Sequence, residues 1–187
     1  MIPRIDAQEV LTPDHPNHAA AMEAVKVGAS DVGFLTVYNS PISAADVAQV
    51  IDAYYRLFML PAEEKEQVNM ANPNSNRGWG GPQSEQVDPD ANPDYKQVFD
   101  CGFQLPADDP LRGENLSYYA PNQWPKKPDD FFPVIRDYYD QACAFSLQLL
   151  KVIATAIGED AAFFDDTFDR PMALLRGNYY PQRPSWA

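Results

Sequence analysis

The sequence predicts an α+β fold, helical in its front part with a strand opening near the end, and three observations carry that prediction. Two segments, 43–60 and 129–158, place apolar residues at helical spacing. Three short runs, 33–38, 98–103 and 172–180, are rich in β-branched and aromatic residues or alternate in hydrophobicity. Eighteen prolines in 187 residues imply short elements joined by long irregular connections. The hydrophobic fraction of 45% suits a globular chain rather than a disordered one.

Each element has a local reason. Residues 1–6 read as a short extended arm, placed at an edge by Pro3. Asn17 is positioned to cap a helix running to Ala29, with Met22, Val25 and Ala29 on one face. Gly33 to Tyr38 forms a short β-rich run that Asn39-Ser40-Pro41 turns. Ser43 with Asp46 three residues later resembles a capping box. Val47, Val50, Ile51, Tyr54, Leu57 and Phe58 then recur at helical spacing until Pro61 ends the helix near Leu60 and opens a second short one through Glu66.

Residues 69–95, rich in Asn, Pro, Gly and Asp, read as one long loop, of a length that suggests function. A strand follows at 98–103, then a second Pro-rich connection over 104–128. Asp129 or Asp130 starts the longest helix, whose apolar face runs Phe132, Ile135, Tyr138, Tyr139, Ala142, Phe145, Leu149, Val152, Ile153 and Ile157. Gly158 is its natural stop. A short helical piece is expected at 161–168 and a closing strand at about 172–180, for which the sequence offers no following strand as partner.

Composition narrows the function. A net charge of −13 repels phosphate backbones and anionic lipid surfaces, so neither nucleic acid nor membrane is expected as a partner. No apolar run reaches the roughly 18 residues that span a bilayer. The two cysteines, Cys101 and Cys143, have no metal-binding spacing and read as reduced thiols of a cytoplasmic protein.

Few residues could carry chemistry. The two histidines, His15 and His18, lie in one Asp14-His15-Pro16-Asn17-His18 stretch that reads as a solvated helix entry rather than a metal site. Gly78-Trp79-Gly80-Gly81 lacks the Lys and Ser/Thr of a phosphate loop. Arg77, beside glycines that permit close backbone approach, could grip a substrate carboxylate with both arms of its guanidinium, or simply pair with a nearby acid. Asn178 and Tyr180 alternate onto one strand face and could present an amide and a hydroxyl to a pocket, or serve as edge packing.

Seven short segments taken in order resemble the front half of one enzyme family. They are Ile2-Pro3-Arg4-Ile5-Asp6, Gly33-Phe34-Leu35-Thr36-Val37-Tyr38-Asn39, Phe58-Met59-Leu60-Pro61-Ala62-Glu63-Glu64-Lys65, Arg77-Gly78-Trp79, Lys96-Gln97-Val98-Phe99-Asp100, Asn122-Gln123-Trp124-Pro125 and Arg176 to Pro181. The family is that of the isopenicillin N synthase-like Fe(II)- and 2-oxoglutarate-dependent oxygenases. The resemblance implies the helical N-terminal region of a double-stranded β-helix, or jelly roll, over 1–170, with 171–187 opening the jelly roll itself. By the same resemblance Arg77 and Tyr180 stand at substrate-contacting positions, and Asn178 and Tyr180 beside the 2-oxoglutarate. Fe(II), 2-oxoglutarate, dioxygen and a small-molecule substrate are the implied cofactors and partners. The family's His-x-Asp, distal His and Arg-x-Ser would fall beyond Ala187. The chain is therefore expected to be the front portion of an oxygenase, inactive alone and holding no metal or cofactor by itself. The alternative is a non-catalytic binding module on the same scaffold. Ser40 and Gly177 depart from the family pattern, which has His and a bulky residue there.

Overall fold

A computed structural model describes residues 1–72, 75–85, 94–114 and 116–182. Residues 73, 74 and 86–93 of the expected long loop lie outside the described residues. The described chain is mixed α and β and forms two compact units, residues 1–46 with 140–171, and residues 47–139 with 172–187.

The first unit pairs strand β1 (Arg4–Asp6) in parallel with β2 (Thr36–Tyr38), Ile5 opposite Val37. Between them lies a five-residue helix, α1 (Ala7–Leu11), which the hydrophobic pattern did not announce. It forms because Asp6 ends β1 extended and its carboxylate accepts from the Gln8 amide, satisfying one of the orphan donors at a helix start. Helix α2 (His18–Val27) then runs into a single π-helical turn, Gly28–Val32, closed by Gly33 at φ +77°. Asn17 stands at its N-cap position but spends its side chain on Glu9, so it does not cap. The core face is Ala21 and Val25 with Met22 packed beside them, whereas Ala29, expected on that face, is exposed because the wider π turn shifts the phase. Ile5, Val10, Ala21 and Val25 form the core of this unit, joined by Val152 and Ile153 from the last turns of helix α5 (Phe131–Ala156).

The capping box at Ser43 and Asp46 is present in full: the Ser43 hydroxyl accepts from the Asp46 amide, and the Asp46 carboxylate accepts from the Ser43 amide. It opens α3 (Ala44–Phe58). Val50, Ala53, Tyr54, Leu57 and Phe58 of this helix are buried, while Val47 and Ile51 are exposed. Pro61 precedes α4 (Ala62–Glu66), as expected.

The second unit contains a three-stranded antiparallel sheet ordered β3 (Gly78–Gly80), β4 (Gln97–Gly102), β5 (Leu174–Tyr179). Two corrections arise here. Strand β3 falls inside the stretch read as loop, since Gly-Trp-Gly has no strand pattern of its own and is held by pairing to β4. The closing strand, read as lacking a partner, pairs along its whole length with β4, Gln97 opposite Tyr179 through Gly102 opposite Leu174. The missing partner was upstream in sequence, not downstream.

One sheet face looks into an aromatic core of Tyr54, Phe58, Trp79, Phe99 and Phe131. From α5 it is Phe131, Ile135 and Tyr139, four residues apart, that are buried; Phe132, expected to lead that stripe, is exposed and leans on Trp124. Lys65 is buried too, its ammonium donating to the Phe58 carbonyl and to Gln97 Oε1 and sitting 5.3 Å from the Trp79 ring centre. Burial holds its pKa below the ordinary lysine value. The residues expected to form a helical piece at 161–168 make only a single 3-10 turn, Asp165–Thr167.

Candidate functional site

The opposite face of the same sheet gathers the polar side chains. Strand alternation puts Gly78, Gly80, Val98, Asp100, Gly102, Leu174, Arg176 and Asn178 on that face. Asp100 and Arg176 are direct cross-strand partners, joined by two bonds, Nε to Oδ1 at 2.8 Å and Nη2 to Oδ2 at 2.7 Å. The Asp100 carboxylate is almost fully enclosed, at 3% exposure, and Arg176 brings it the opposite charge it needs. Arg176 also reaches Glu85, which in turn pairs with Lys96, so a chain of alternating charge crosses the sheet. Burial pushes the Glu85 carboxyl up, but Lys96 and Arg176 outweigh it and leave the pKa below the ordinary 4.5.

Arg77 enters this face from the residue before β3. Gly78, at φ +108°, lets the chain turn there, and any side chain on it would strike the Val68 carbonyl. The Arg77 guanidinium lies flat on β4 at Gly102, where an added Cβ would stand 2.6 Å from Nη2. Its Nη2 donates to the Tyr118 carbonyl at 2.7 Å and Nη1 to Asn76 Oδ1 at 3.1 Å, while Nε is buried without a bond. Arg77 is only 2% exposed, and that burial lowers its pKa despite the nearby Asp100. Its hydrogen bonds therefore run to a backbone carbonyl and an amide rather than to an acid. Its own backbone carbonyl accepts from Gln123 Nε2 at 2.7 Å, which fixes the turn.

Asn178 and Tyr180 sit at the other end of β5. Both are exposed, Tyr180 at 69%. Gly102, under Arg77, is opposite Leu174, so Arg77 lies about 13 Å along the strand from Asn178 and about 20 Å from Tyr180 at the usual rise per residue. The structure thus brings Asn178 and Tyr180 together and keeps Arg77 apart from them. The residues missed by sequence reasoning are Asp100 and Arg176, both inside quoted motifs but 76 positions apart, and paired only once the β4–β5 register is known.

The histidines take local roles in the first unit. His15 Nδ1 accepts from the Asn17 amide, and His18 Nδ1 lies 2.9 Å from the Glu9 carbonyl. Among the described residues no three His, Cys, Asp or Glu side chains converge as metal ligands. The donor set an Fe(II) centre requires is therefore not assembled from these residues. Exposed amide and phenol groups, in contrast, are chemically suited to hold the oxygens of a small oxo-acid.

Comparison with known proteins agrees with this architecture. The family described as the N-terminal region of the non-haem dioxygenase in morphine synthesis matches residues 2–127. The 2-oxoglutarate-Fe(II) type oxidoreductase hxnY of Emericella nidulans is 26% identical over 185 residues, covering 97% of this chain and 53% of that protein. Clavatol oxidase claD of Penicillium crustosum is 27% identical over 198 residues, covering 97% of this chain and 58% of its own. The chain thus spans little more than half the length of these curated relatives. Among solved structures, a full-length Neurospora crassa protein in complex with alpha-KG and thymine superposes with a TM-score of 0.76 at 28% identity, over 96% of this chain and 55% of the Neurospora chain. A putative 2OG-Fe(II) oxygenase family protein from Caulobacter crescentus shares the fold with a TM-score of 0.78 at 21% identity, over 98% of this chain and 57% of that one. These neighbours are jelly-roll oxygenases, and the α+β order of the present chain follows theirs. With the match extending over most of its length, this chain belongs to the non-haem dioxygenase N-terminal family, whose relatives here are 2-oxoglutarate-Fe(II) oxygenases.

Proposed function

We propose that this chain is the N-terminal portion of an Fe(II)- and 2-oxoglutarate-dependent oxygenase that hydroxylates, desaturates or ring-closes a small molecule in the cytoplasm. In this reading residues 1–170 form the family's helical N-terminal region and 171–187 open its jelly roll. The observation that carries it is the family match over residues 2–127, beside which Asn178 and Tyr180, at and just after the end of β5, are exposed while Leu175 and Tyr179 are packed against the core. Asn178 and Tyr180 would hold the cosubstrate, and Tyr180 would reach the substrate beside it. Arg77, some 20 Å along the sheet from Tyr180, is enclosed, and would add its positive charge to the far end of an extended substrate's site. Iron supplies oxygen activation in such enzymes; the residues described here would contribute binding and orientation only.

The test is to read the coding frame beyond codon 187 and express its full product. A His-x-Asp within about 5–15 residues after Ala187 is expected, roughly a strand's length, and the product should bind 2-oxoglutarate with Fe(II). Calorimetry on Asn178→Ala and Tyr180→Phe should then show 2-oxoglutarate affinity falling about tenfold, the worth of one well-placed hydrogen bond to a charged group. Unchanged affinity in both variants would overturn the site assignment. A stop codon directly after Ala187 would overturn the oxygenase reading and leave a binding module. The 187 residues alone are expected to take up no Fe(II) in a defined site.

A further inference from the structure

The inner face of β5 meets α3 through one very close contact. Gly177 has an ordinary strand backbone, so nothing in its dihedral angles calls for glycine. What calls for it is space: a Cβ at Gly177 would overlap Cγ, Cδ1 and Cε1 of the Tyr54 ring. Tyr54 is itself fixed, stacked on Phe58 at 6.1 Å between ring centres and edge-on to Phe131 at 5.5 Å and Phe99 at 6.2 Å. Two residues further along the strand, Tyr179 stacks on Phe58 at 5.7 Å and meets Tyr55 edge-on at 6.2 Å. Successive inward positions of β5 thus rest on successive aromatic rings of α3. The ring covers the bare glycine backbone, as aromatic side chains do for strand glycines elsewhere.

The Tyr54 hydroxyl contributes little to this arrangement. It is buried without a hydrogen bond of normal geometry, and the Cys101 thiol beside it is a weak partner. The ring is what the packing uses.

We infer that Tyr54 is a positioning residue: its ring, lodged against the backbone at Gly177, sets the height and tilt of β5 and so the aim of Asn178 and Tyr180 on the other face. The inference rests on the reading of those two residues as pocket contacts. A strand is stiff across its own width, so a shift of the inner face at Gly177 is delivered directly to its neighbours Arg176 and Asn178. Sub-ångström placement of this kind is what binding groups depend on.

Amide NMR spectra of the full chain test it, with Tyr54→Phe, Tyr54→Leu, Gly177→Ala and the double variant Gly177→Ala/Tyr54→Leu. Tyr54→Phe keeps the ring and should leave the amide signals of Arg176, Asn178 and Tyr180 in place. Tyr54→Leu should change the N–H residual dipolar couplings of those three, which report bond orientation and not the lost ring current, while Gly177→Ala alone should lower the melting temperature by several degrees. The double variant, whose new methyl enters the space vacated by the ring, should melt above Gly177→Ala. Tyr54→Leu that folds yet leaves the three couplings unchanged overturns the inference, as does a Gly177→Ala variant as stable as the parent. If Tyr54→Leu does not fold, the double variant decides: recovery of fold supports the contact, and no recovery overturns it. The cosubstrate role of Asn178 and Tyr180 is decided separately, by 2-oxoglutarate binding to the full product. The β5 amides can respond as expected even if that binding is absent.

Discussion

The two units are packed by different chemistry. The core of the second is aromatic: Tyr54, Phe58, Trp79, Phe99 and Phe131 interlock beneath one face of the sheet. The core of the first is small and aliphatic, centred on Ile5, Val10, Ala21 and Val25. Large rigid rings leave few alternative arrangements, so the second unit fixes strand positions closely, whereas small aliphatic residues tolerate adjustment. The polar candidate residues Arg77, Asp100, Arg176, Asn178 and Tyr180 all belong to the unit with the rigid core.

The largest effect that tests this contrast is Phe99→Ala. Phe99 is fully buried and touches the rings of Tyr54, Trp124 and Phe131, so its removal should cost about 3–5 kcal/mol in denaturant unfolding. Ile5→Ala in the other core, also a truncation to Ala, should cost only about 2–3 kcal/mol, the low end for a buried aliphatic, because its small neighbours can close in. Equal losses would break the comparison.

Ion pairs sharpen it. Arg176→Met leaves the enclosed Asp100 carboxylate without its counter-charge, and should cost about 2–3 kcal/mol, less than a fully buried pair because Arg176 itself is one-third exposed. Lys151→Met in the first unit breaks a pair with Asp165 that is half exposed on both sides, and should change stability by less than about 0.5 kcal/mol.

A further modest effect is a pH dependence. Glu85 is held below its ordinary pKa in the folded state, so the unfolded chain binds more protons in the acid range, and stability rises with pH there. Its contribution is complete above the unfolded value near 4.5 and is lost as pH falls through the lower folded value. The difference in unfolding free energy between the parent and Glu85→Gln should be present at pH 7 and shrink below pH 4.5, by no more than about 1 kcal/mol. A difference that grows on acidification would reverse the sign assigned here.

Several local signals were legible in the sequence, though Asn17, read as a cap, pairs with Glu9 instead, and the short helix capped by Asp6 was not anticipated. The Ser43–Asp46 box, the stop at Pro61 and the left-handed Gly158 at φ +94° each follow from short-range rules. What the sequence concealed depends on residues far apart. β3 has no propensity and exists by pairing. Phe131 rather than Phe132 faces the core because the helix phase is set by Ile135 and Tyr139. The glycines beside Arg77 correctly indicated close backbone approach, but not that Gly102, on another strand, would form the floor under its guanidinium. Asn178 and Tyr180 were readable as neighbours because strand alternation alone puts them on one face.

Asn122 has a wider consequence. Its side-chain amide accepts from the Gly102 N–H and donates to the Gly102 carbonyl, both at 2.8 Å, taking the place an added strand would occupy at that end of β4. The chain leaving β4 thus returns to a fixed address, whatever lies in between. A tethered excursion of this kind can be lengthened at a cost of only about 0.6 kcal/mol per doubling. Residues 106–114, between the buried Leu105 and the Tyr118 carbonyl that holds Arg77, are therefore where a foreign segment can be grafted without disturbing the sheet.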